Sequence, residues 1–254
     1  MADTVFIVGM AGSGKSTLTA AYLEWLKSGD RDVIVANLDP GATALPYNPD
    51  IDARKYVDVE KLMLDYQLGP NGALIMASDL LAEHLEEIRG EIDEANPDLV
   101  LVDTPGQIEL FAFREGGRFI AREFMEGNGA LIYLMDATFS RSPLNFTSNI
   151  YLAAAVYSRI MQPQVYALSK ADLVSEQEID EIVSWVTEPE AFDLAVRSLE
   201  EQSLSIVTRD LANAVFGTGL LSEPIPVSAK ANSGLVELNA AITRILTRGE
   251  EESS

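Results

Sequence analysis

Short apolar runs rich in β-branched residues alternate along the chain with longer segments in which apolar positions recur at helical spacing. The apolar runs are continuous and do not alternate with polar residues, which is typical of strands covered on both faces. They predict strands at residues 4–8, 33–38, 99–102, 130–135, 164–169 and 225–227. The helical pattern covers residues 15–28, 58–66, about 73–95, 116–126, 142–160 and 234–247. This order predicts an α/β fold with three layers, in which helices cover both faces of a mostly parallel sheet with right-handed crossovers.

One stretch, residues 175–222, interrupts the alternation of strands and helices. It contains amphipathic segments broken by Pro189, Gly217 and Gly219, and no convincing strand. Because its length is marginal for a separate hydrophobic core, we expect a helical insertion before the last strand, packed on the edge of the sheet. The sequence thus predicts a single domain over residues 1–248, followed by an acidic, disordered tail at 249–254.

The amino-acid composition excludes or disfavours several classes of function. The chain carries 40 acidic and 18 basic residues, a formal net charge of −22, which disfavours binding to nucleic acid or to an anionic membrane surface. With 0 cysteines and one histidine, His84, disulfides, thiol catalysis, thiolate metal sites and multi-histidine metal sites are excluded. No targeting segment or membrane-spanning run is evident, so we expect a cytoplasmic protein.

A glycine-rich motif follows the first predicted strand and opens the first predicted helix. Residues 9–16 read Gly-Met-Ala-Gly-Ser-Gly-Lys-Ser, which fits the phosphate-binding loop G-x-x-x-x-G-K-[ST]. Its glycines let backbone N–H groups turn inward around a phosphate, Lys15 reaches the β- and γ-phosphate oxygens, and the Ser16 hydroxyl coordinates Mg²⁺. The motif therefore predicts a phosphate-loop (P-loop) NTPase fold. The nucleotide-binding residues that it supplies are Gly12, Ser13, Gly14, Lys15, Ser16 and Thr17.

The third predicted strand ends in the sequence Leu-Val-Asp103-Thr-Pro-Gly106-Gln107. An aspartate at the end of such a strand can hold Mg²⁺, usually through a water molecule, so Asp103 is a candidate metal ligand. Gly106 can donate its backbone N–H to the γ-phosphate and act as the hinge of a switch loop.

Two further segments resemble the pair that reads guanine in GTPases. Ser169-Lys170-Ala-Asp172 follows the fifth predicted strand, and Ser228-Ala229-Lys230 follows the sixth. In this resemblance Asp172 accepts hydrogen bonds from the guanine N1–H and 2-amino group, the stem of Lys170 covers the ring, and the Ala229 N–H meets O6. Ser169 departs from the usual asparagine, which removes a side chain that braces the phosphate loop and lowers the expected affinity.

The remaining motifs resemble those of one branch of these proteins, the GPN-loop GTPases, in an archaeal-type form. The motifs are Asn-Leu-Asp39-Pro-Gly-Ala at 37–42, Gly69-Pro70-Asn71, and Asp-Thr-Pro-Gly-Gln-Ile-Glu at 103–109. The resemblance covers nearly the whole chain and implies a Mg²⁺-dependent, homodimeric enzyme that hydrolyses GTP to GDP as a molecular switch or assembly factor. It also implies that the Gly69-Pro70-Asn71 loop enters the partner's site, where Asn71 contacts the phosphate being released. Protein clients are implied as well, since eukaryotic relatives are associated with RNA polymerase assembly.

Two side chains compete to position the attacking water. An amide can both donate and accept, so Gln107 is assigned to hold the nucleophile. Asp39, a poor base at neutral pH because its ordinary pKa is near 4, is assigned to orient water or a ligand water of Mg²⁺. Together with Lys15 and Asn71 these are the candidate catalytic residues, and Ser16, Asp39 and Asp103 are the candidate metal ligands.

Two other functions stay open at this point. A P-loop nucleotide or metabolite kinase is one, although no arginine-rich lid is evident. A scaffold that binds GTP with negligible turnover is the other.

Overall fold

A computed structural model describes residues 2–29, 31–125, 128–199 and 202–247. Its centre is a seven-stranded sheet with the order β3-β2-β4-β1-β5-β6-β7, in which every neighbouring pair is parallel. The strands are β1 (Asp3–Gly9), β2 (Val33–Asn37), β3 (Ile51–Asp52), β4 (Leu99–Asp103), β5 (Gly129–Asp136), β6 (Gln164–Ser169) and β7 (Ile225–Pro226). All six predicted strands are present, and β3 is a further strand too short for a sequence pattern to reveal.

Helices cover both faces of this sheet, which confirms the predicted three-layer α/β fold. The α-helices are α1 (Lys15–Lys27), α2 (Val59–Asp65), α3 (Pro70–Leu81), α4 (Leu85–Ala95), α5 (Ile108–Ala112), α6 (Glu115–Phe124), α7 (Ala137–Ser140), α8 (Pro143–Ile160), α9 (Glu176–Thr187), α10 (Pro189–Arg197), α11 (Gln202–Phe216) and α12 (Leu235–Leu246). Val5 and Ile7 of β1 pack with α1 and α12, whereas Phe6 and Val8 face the core formed with α3–α6 and α8–α11. Two apolar cores therefore lie on opposite faces of one sheet.

The helix predicted over about 73–95 is wrong in two respects. It begins at Pro70, because Gly69 takes an extended conformation as the N-cap and proline suits the first helical position. It is also interrupted by a 3₁₀ turn at Ala82–His84, which separates α3 from α4. Residues 82–84 contain neither glycine nor proline, so the interruption has no local signal. The short helices α5 and α7 were not predicted either.

Three helices, α9 to α11, form the predicted helical insertion, but its main contacts are with α8 and not, as predicted, with the edge of the sheet. Trp185 of α9 and Phe192 of α10 are buried, and their rings contact each other and Phe146 of α8 at centroid distances of 5.2–6.0 Å. The insertion thus packs on α8 and shares the larger of the two cores. The single-domain boundary stays a prediction, and the acidic tail at 249–254 lies outside the described residues. Within the described ranges no helix is both long and apolar enough to span a bilayer.

The parallel arrangement brings the carboxyl ends of the strands to one edge of the sheet. β1 lies at the centre, with β4 and β5 on either side. Ligands of such sheets bind in the crevice beyond the carboxyl ends, where the order of strand connections reverses. The segments that follow β1, β2, β4, β5, β6 and β7 therefore surround one site.

Candidate nucleotide site

The phosphate loop connects β1 directly to α1. A Cβ on Gly9 would lie only 2.8 Å from the Ser13 hydroxyl oxygen and 2.9 Å from the carbonyl oxygen of Leu134, so no larger residue fits there. Gly14 is the N-cap of α1 with a left-handed φ of 95°, a conformation that favours glycine. The glycines at the two ends of the loop are thus required by space and by backbone geometry.

Lys15 folds back over the loop. Its Nζ donates hydrogen bonds to the carbonyl oxygens of Gly9 (3.1 Å), Met10 (3.2 Å) and Gly106 (3.1 Å). Burial lowers the pKa of this ammonium, and the carboxylates of Asp103 and Asp39 oppose that shift. A buried cation held only by carbonyl dipoles is suited to exchange them for phosphate oxygens, which bind it more strongly.

Asp103, at the end of β4, is almost completely buried. Its Oδ2 accepts a hydrogen bond from the Tyr47 hydroxyl (2.8 Å), whereas its Oδ1 has no partner. Burial raises the pKa of Asp103, and the hydroxyls of Ser16 and Tyr47 and the charge of Lys15 oppose that shift. An unpartnered buried carboxylate oxygen beside a serine hydroxyl suits Mg²⁺, which is held by few protein ligands together with substrate phosphates. Ser16 and Asp103 therefore fit the predicted metal site.

Asp39 lies between the segments that follow β2 and β4. Its Oδ1 accepts from the Gly41 N–H (2.9 Å) and its Oδ2 accepts from the Gly106 N–H (2.8 Å). The N–H predicted to bind the γ-phosphate is thus bonded to Asp39. Because backbone N–H groups occupy both oxygens, Asp39 is not placed as a metal ligand in this conformation, and its predicted role stays a prediction.

The segment that carries Asp39 is held in place from both sides. The buried Asn37 amide donates to the carbonyl oxygen of Asp39 (3.1 Å) and its oxygen accepts from the Asp39 N–H (3.0 Å). A Cβ on Gly41 would lie 2.4 Å from a methyl carbon of Leu74, so this segment packs closely on α3. The segment that carries Asp39 therefore lies directly against α3, the helix whose N-cap is Gly69.

The predicted in-trans loop is the first turn of α3. Gly69, Pro70 and Asn71 are exposed, and nothing lies within 4 Å of a Cβ built on Gly69. Crowding within the chain therefore does not require glycine at position 69, and the entry of this loop into a partner's site stays a prediction. Gln107 is also exposed, as the N-cap of α5. The structure thus brings Lys15, Asp39 and Gly106 together and leaves the amides of Asn71 and Gln107 facing solvent.

The base-reading segments enclose a cavity of about 260 Å³ beside the phosphate loop. Predicted residues of both sets line it, namely Ser13, Gly14, Thr17, Ser169, Lys170, Asp172, Ala229 and Lys230. The apolar side chains of Leu18, Leu173 and Val227, which were not predicted, complete the lining. Asp172 is exposed rather than buried, and its Oδ1 accepts from the Ser228 hydroxyl (2.6 Å). Because Asp172 lines the cavity, a base that occupies the cavity covers this carboxylate.

Ser169 corrects the expectation of a lost brace. Its hydroxyl donates to the carbonyl oxygen of Ser13 in the phosphate loop (2.8 Å) and lies 3.3 Å from the carbonyl oxygen of Met135. A serine reaches the loop because Ser169 is buried at the end of β6, close enough for a short side chain. The connection between base pocket and phosphate loop is therefore present without asparagine.

The last segment of the pocket is closed by Gly234. Ser228 and Ser233 exchange backbone hydrogen bonds of 3.1 Å, which folds residues 228–233 into a compact loop. Gly234 has a φ of 76°, and a Cβ there would lie 2.0 Å from the carbonyl oxygen of Pro226. Only glycine permits this closure, which presents Ala229 and the exposed Lys230 to the cavity.

Sequence reasoning missed three residues that hold the site. Tyr47 bonds Asp103, Asn37 holds Asp39, and Asp136 at the end of β5 accepts from the Lys170 Nζ (2.5 Å). The signal for Asp136 was available, because an aspartate that ends a buried parallel strand reaches the same edge as Asp103. Tyr47 lies in a loop without periodicity, and no pattern points to it.

Comparisons with known proteins show which family this chain is similar to. A family model described as a conserved hypothetical ATP binding protein matches residues 7–248. The chain is 31% identical to GPN-loop GTPase 1 of Saccharomyces cerevisiae over 206 residues, which cover 80% of this chain and 52% of that protein. It is 37% identical to GPN-loop GTPase PAB0955 of Pyrococcus abyssi over 176 residues, which cover 68% of this chain and 69% of that protein.

One solved structure matches nearly the whole chain. It is described as a GTPase in apo form from Pyrococcus abyssi, and it superposes with a TM-score of 0.84 at 29% identity, covering 95% of this chain and 96% of that one. The chain spans between 52% and 59% of the length of the first three curated relatives that it matches.

Proposed function

Since the chain belongs to the GPN-loop GTPase family, we propose that it binds GTP and hydrolyses it to GDP and phosphate, as a Mg²⁺-dependent homodimer that serves as a molecular switch or assembly factor. One observation carries the proposal. Ser13 and Gly14 of the phosphate loop line the same cavity as Asp172 and Ala229 of the base-reading segments. A nucleotide in this cavity has its base beside Asp172 and its phosphates beside the buried ammonium of Lys15.

Selection of guanine rests on Asp172. Its carboxylate, oriented by the Ser228 hydroxyl, accepts from the N1–H and the 2-amino group of guanine. Adenine has neither donor, so in this site it would bury the carboxylate without giving it a hydrogen bond. Sites of this kind discriminate between the two bases by about 10⁴-fold or more. The description of the matching family model names ATP, which makes the choice of base the first property to measure.

Hydrolysis follows from exchanges at the phosphate end. The γ-phosphate takes the place of Asp39 at the Gly106 N–H and of the Gly106 carbonyl at Lys15, so both backbone contacts of Gly106 change together. Ser16 and Asp103 would hold Mg²⁺, which would supply neutralisation of the phosphate charge. Asp39, once released, orients the attacking water with Gln107. The transition state is loose, so positioned donors matter more than proton abstraction.

Asn71 completes this machinery from the partner subunit. Its amide is exposed at the start of α3, in a stretch where Leu64 is 79% and Tyr66 58% exposed. Large apolar side chains at such exposure favour burial against another protein surface. A second copy that covers them brings its Asn71 to this chain's γ-phosphate.

Release of phosphate from GTP and from ATP, each with and without Mg²⁺, tests the reaction. The expected result is Mg²⁺-dependent turnover of GTP and none of ATP. Turnover of ATP alone contradicts the guanine assignment. Phosphate release only on addition of an acceptor nucleotide indicates the kinase, and tight GTP binding without turnover indicates the scaffold.

A mixing experiment tests the role of Asn71. Asn71→Ala is expected to lower turnover at saturating GTP by about 100-fold, the usual cost of one transition-state donor, with nucleotide affinity unchanged. Lys15→Ala has a defective site but an intact Asn71. Mixing the two variants is expected to restore turnover, since the Asn71→Ala site then receives the partner's amide. No recovery, or a monomer by light scattering in the nucleotide-bound state, contradicts action in trans.

Gln107→Ala tests the water-positioning role in single-turnover hydrolysis. The rate is expected to fall by about tenfold or more, within the range of a lost general-base or orienting group. A rate within threefold of the wild type contradicts the role assigned to Gln107.

Protein clients and location are proposed on the family alone. We expect clients, an RNA polymerase assembly intermediate among them, to bind one nucleotide state preferentially in the cytoplasm. A pull-down that compares the protein loaded with GDP and with a non-hydrolysable GTP analogue tests this, and an identical set of captured proteins contradicts a switch.

A further inference from the structure

Asp136 is the last residue of β5, and the sheet register pairs it with Ser169 at the end of β6. The next residue, Lys170, turns its side chain back to this carboxylate, and the distance from Nζ to Oδ2 is 2.5 Å. The Asp136 side chain is 19% exposed and that of Lys170 is 32% exposed. The ion pair therefore lies at the rim of the base cavity, which Lys170 lines and Asp136 does not.

The other oxygen of Asp136 is used to fix the carboxylate. Its Oδ1 accepts from the N–H (2.9 Å) and the hydroxyl (2.7 Å) of Thr138, and it caps α7. Burial raises the pKa of Asp136, but the hydrogen bonds from Lys170 and Thr138 outweigh it and lower the pKa overall. The anion that faces Lys170 is thus both ionised and held in one orientation.

The backbone of Lys170 is equally constrained. Its φ is 58°, in the left-handed region, and its carbonyl oxygen accepts from the Leu173 N–H (3.0 Å). Its Cε lies 4.0 Å from the position of a Cβ on Gly14, so the aliphatic stem spans the space between β6 and the phosphate loop. Anchored at both ends, the stem forms one wall of the cavity before any base binds.

We propose that Asp136 is a positioning residue for the base: it anchors the ammonium of Lys170 so that the stem is a preformed wall against which guanine stacks. The inference rests on the proposed binding of guanine nucleotides. A lysine side chain loses much rotamer freedom when it is ordered. With the ion pair in place, the Lys170 side chain is already ordered before the nucleotide binds. Without the ion pair, binding must order the side chain, and this entropy cost weakens the affinity. Since the hydrogen bonds of Asp136 join it to Lys170, Thr138 and Phe139 and not to the phosphate loop, it is expected to affect GTP and GDP equally.

Asp136→Asn separates this role from the capping of α7. Asparagine is as good an N-cap as aspartate, so the helix keeps its cap while the ammonium loses its counter-charge. The dissociation constants of GDP and of a non-hydrolysable GTP analogue are each expected to rise by about 5-fold to 10-fold, a typical cost of ordering one side chain. KM for GTP rises by the same factor and kcat does not change. Arg31→Gln, which removes the Arg31–Asp3 ion pair (3.2 Å) at the start of β1 and outside the cavity, is the matched control and is expected to leave binding unchanged.

A double-mutant cycle distinguishes positioning from a structural effect. Lys170→Met keeps an unbranched stem without the charge, and it is expected to weaken GDP binding by the same factor as Asp136→Asn. The double variant is expected to lose no more than either single variant. If Asp136→Asn does not fold, nucleotide binding by Lys170→Met tests the inference in its place, because Lys170→Met leaves the cap of α7 intact.

GDP binding by Asp136→Asn within twofold of the wild type overturns the inference, as do additive losses in the cycle or a changed ratio of GTP to GDP affinity. Failure of the wild type itself to bind either guanine nucleotide overturns the proposed function instead.

Discussion

The two ends of the nucleotide site are built differently. At the base end, the polar side chains that face the cavity are fixed by partners beside it: Asp172 by Ser228, Lys170 by Asp136, and Ser169 by Ser13. At the phosphate end, the groups predicted to bind nucleotide satisfy one another. Lys15 donates to the Gly106 carbonyl, and Asp39 accepts from the Gly106 N–H.

The base end is therefore suited to recognising the nucleotide, and the phosphate end is suited to responding to the third phosphate. A base can enter its cavity of about 260 Å³ without breaking a hydrogen bond. A γ-phosphate can reach Gly106 only by displacing Asp39, whose segment packs on α3 through Gly41 and Leu74. The base cavity is thus formed before a base binds, whereas binding of the third phosphate requires an exchange of contacts at Gly106.

The largest effect is expected at the phosphate end, from Lys15→Ala. Loss of this buried cation leaves phosphate charge uncompensated, so affinity for GTP falls by about 100-fold or more, as for other truncated buried charge pairs. Nucleotide titration and phosphate release measure it. The control is Lys27→Ala, an exposed lysine in the last turn of α1. An affinity loss below tenfold contradicts the assignment.

At the base end, Asp172→Asn is expected to weaken GDP binding by roughly 100-fold and to create affinity for xanthosine diphosphate. An amide can donate to the 2-carbonyl oxygen of xanthine where the carboxylate cannot, and polar-group mismatches are costly in such sites. Competition between the two nucleotides measures the change. Asp180→Asn, an exposed aspartate on α9, is the control. If the preference for guanine over xanthine is unchanged, Asp172 does not recognise guanine and the assignment is wrong.

A smaller change is expected from Asp39→Asn, which tests the exchange at Gly106. The neutral amide competes less well for the N–H and does not repel the γ-phosphate. The ratio of affinities for a non-hydrolysable GTP analogue and for GDP is therefore expected to rise by about fivefold, which corresponds to the net value of one ordinary hydrogen bond. Equilibrium titration of both nucleotides measures this ratio. A ratio equal to that of the wild type shows that Asp39 does not compete with the third phosphate.

The smallest effect is expected from Ser169→Ala. It removes one hydroxyl bond to the Ser13 carbonyl, so the affinity for GTP and for GDP is expected to fall together by about threefold. Ser148→Ala, an exposed serine on α8, is the matched control. A loss confined to GTP places the effect at the γ-phosphate and contradicts a brace between pocket and loop.

Much of the fold followed from local patterns, and the errors have physical causes. Continuous apolar runs located six strands because a strand buried on both faces must be apolar throughout. The start of α3 at Pro70 was missed because the Gly-Pro-Asn triplet was interpreted as a loop, although proline is favoured at the first helical position. The two-residue strand β3 carries no periodicity, and it forms only because β2 offers an unpaired edge.

In the candidate site, too, local motifs were predicted from the sequence and contacts between distant residues were not. The phosphate loop was predicted from sequence because its glycines, lysine and serine are contiguous and meet local geometric needs. The bond between Ser169 and Ser13 joins residues 156 apart, and the bond between Asp39 and Gly106 joins residues 67 apart. No local pattern encodes such pairs, and this is why the brace was expected to be absent.

The amino-acid sequence by itself determined where strands, helices and the phosphate loop form, and to which family the chain belongs. Each of these depends on periodicity, backbone freedom or motif spacing within a short window. Only the tertiary structure decided which polar group each functional side chain bonds, because the order of strands in the sheet sets which distant segments meet at its edge. That pairing makes the base end ready for its ligand and leaves the phosphate end closed on itself.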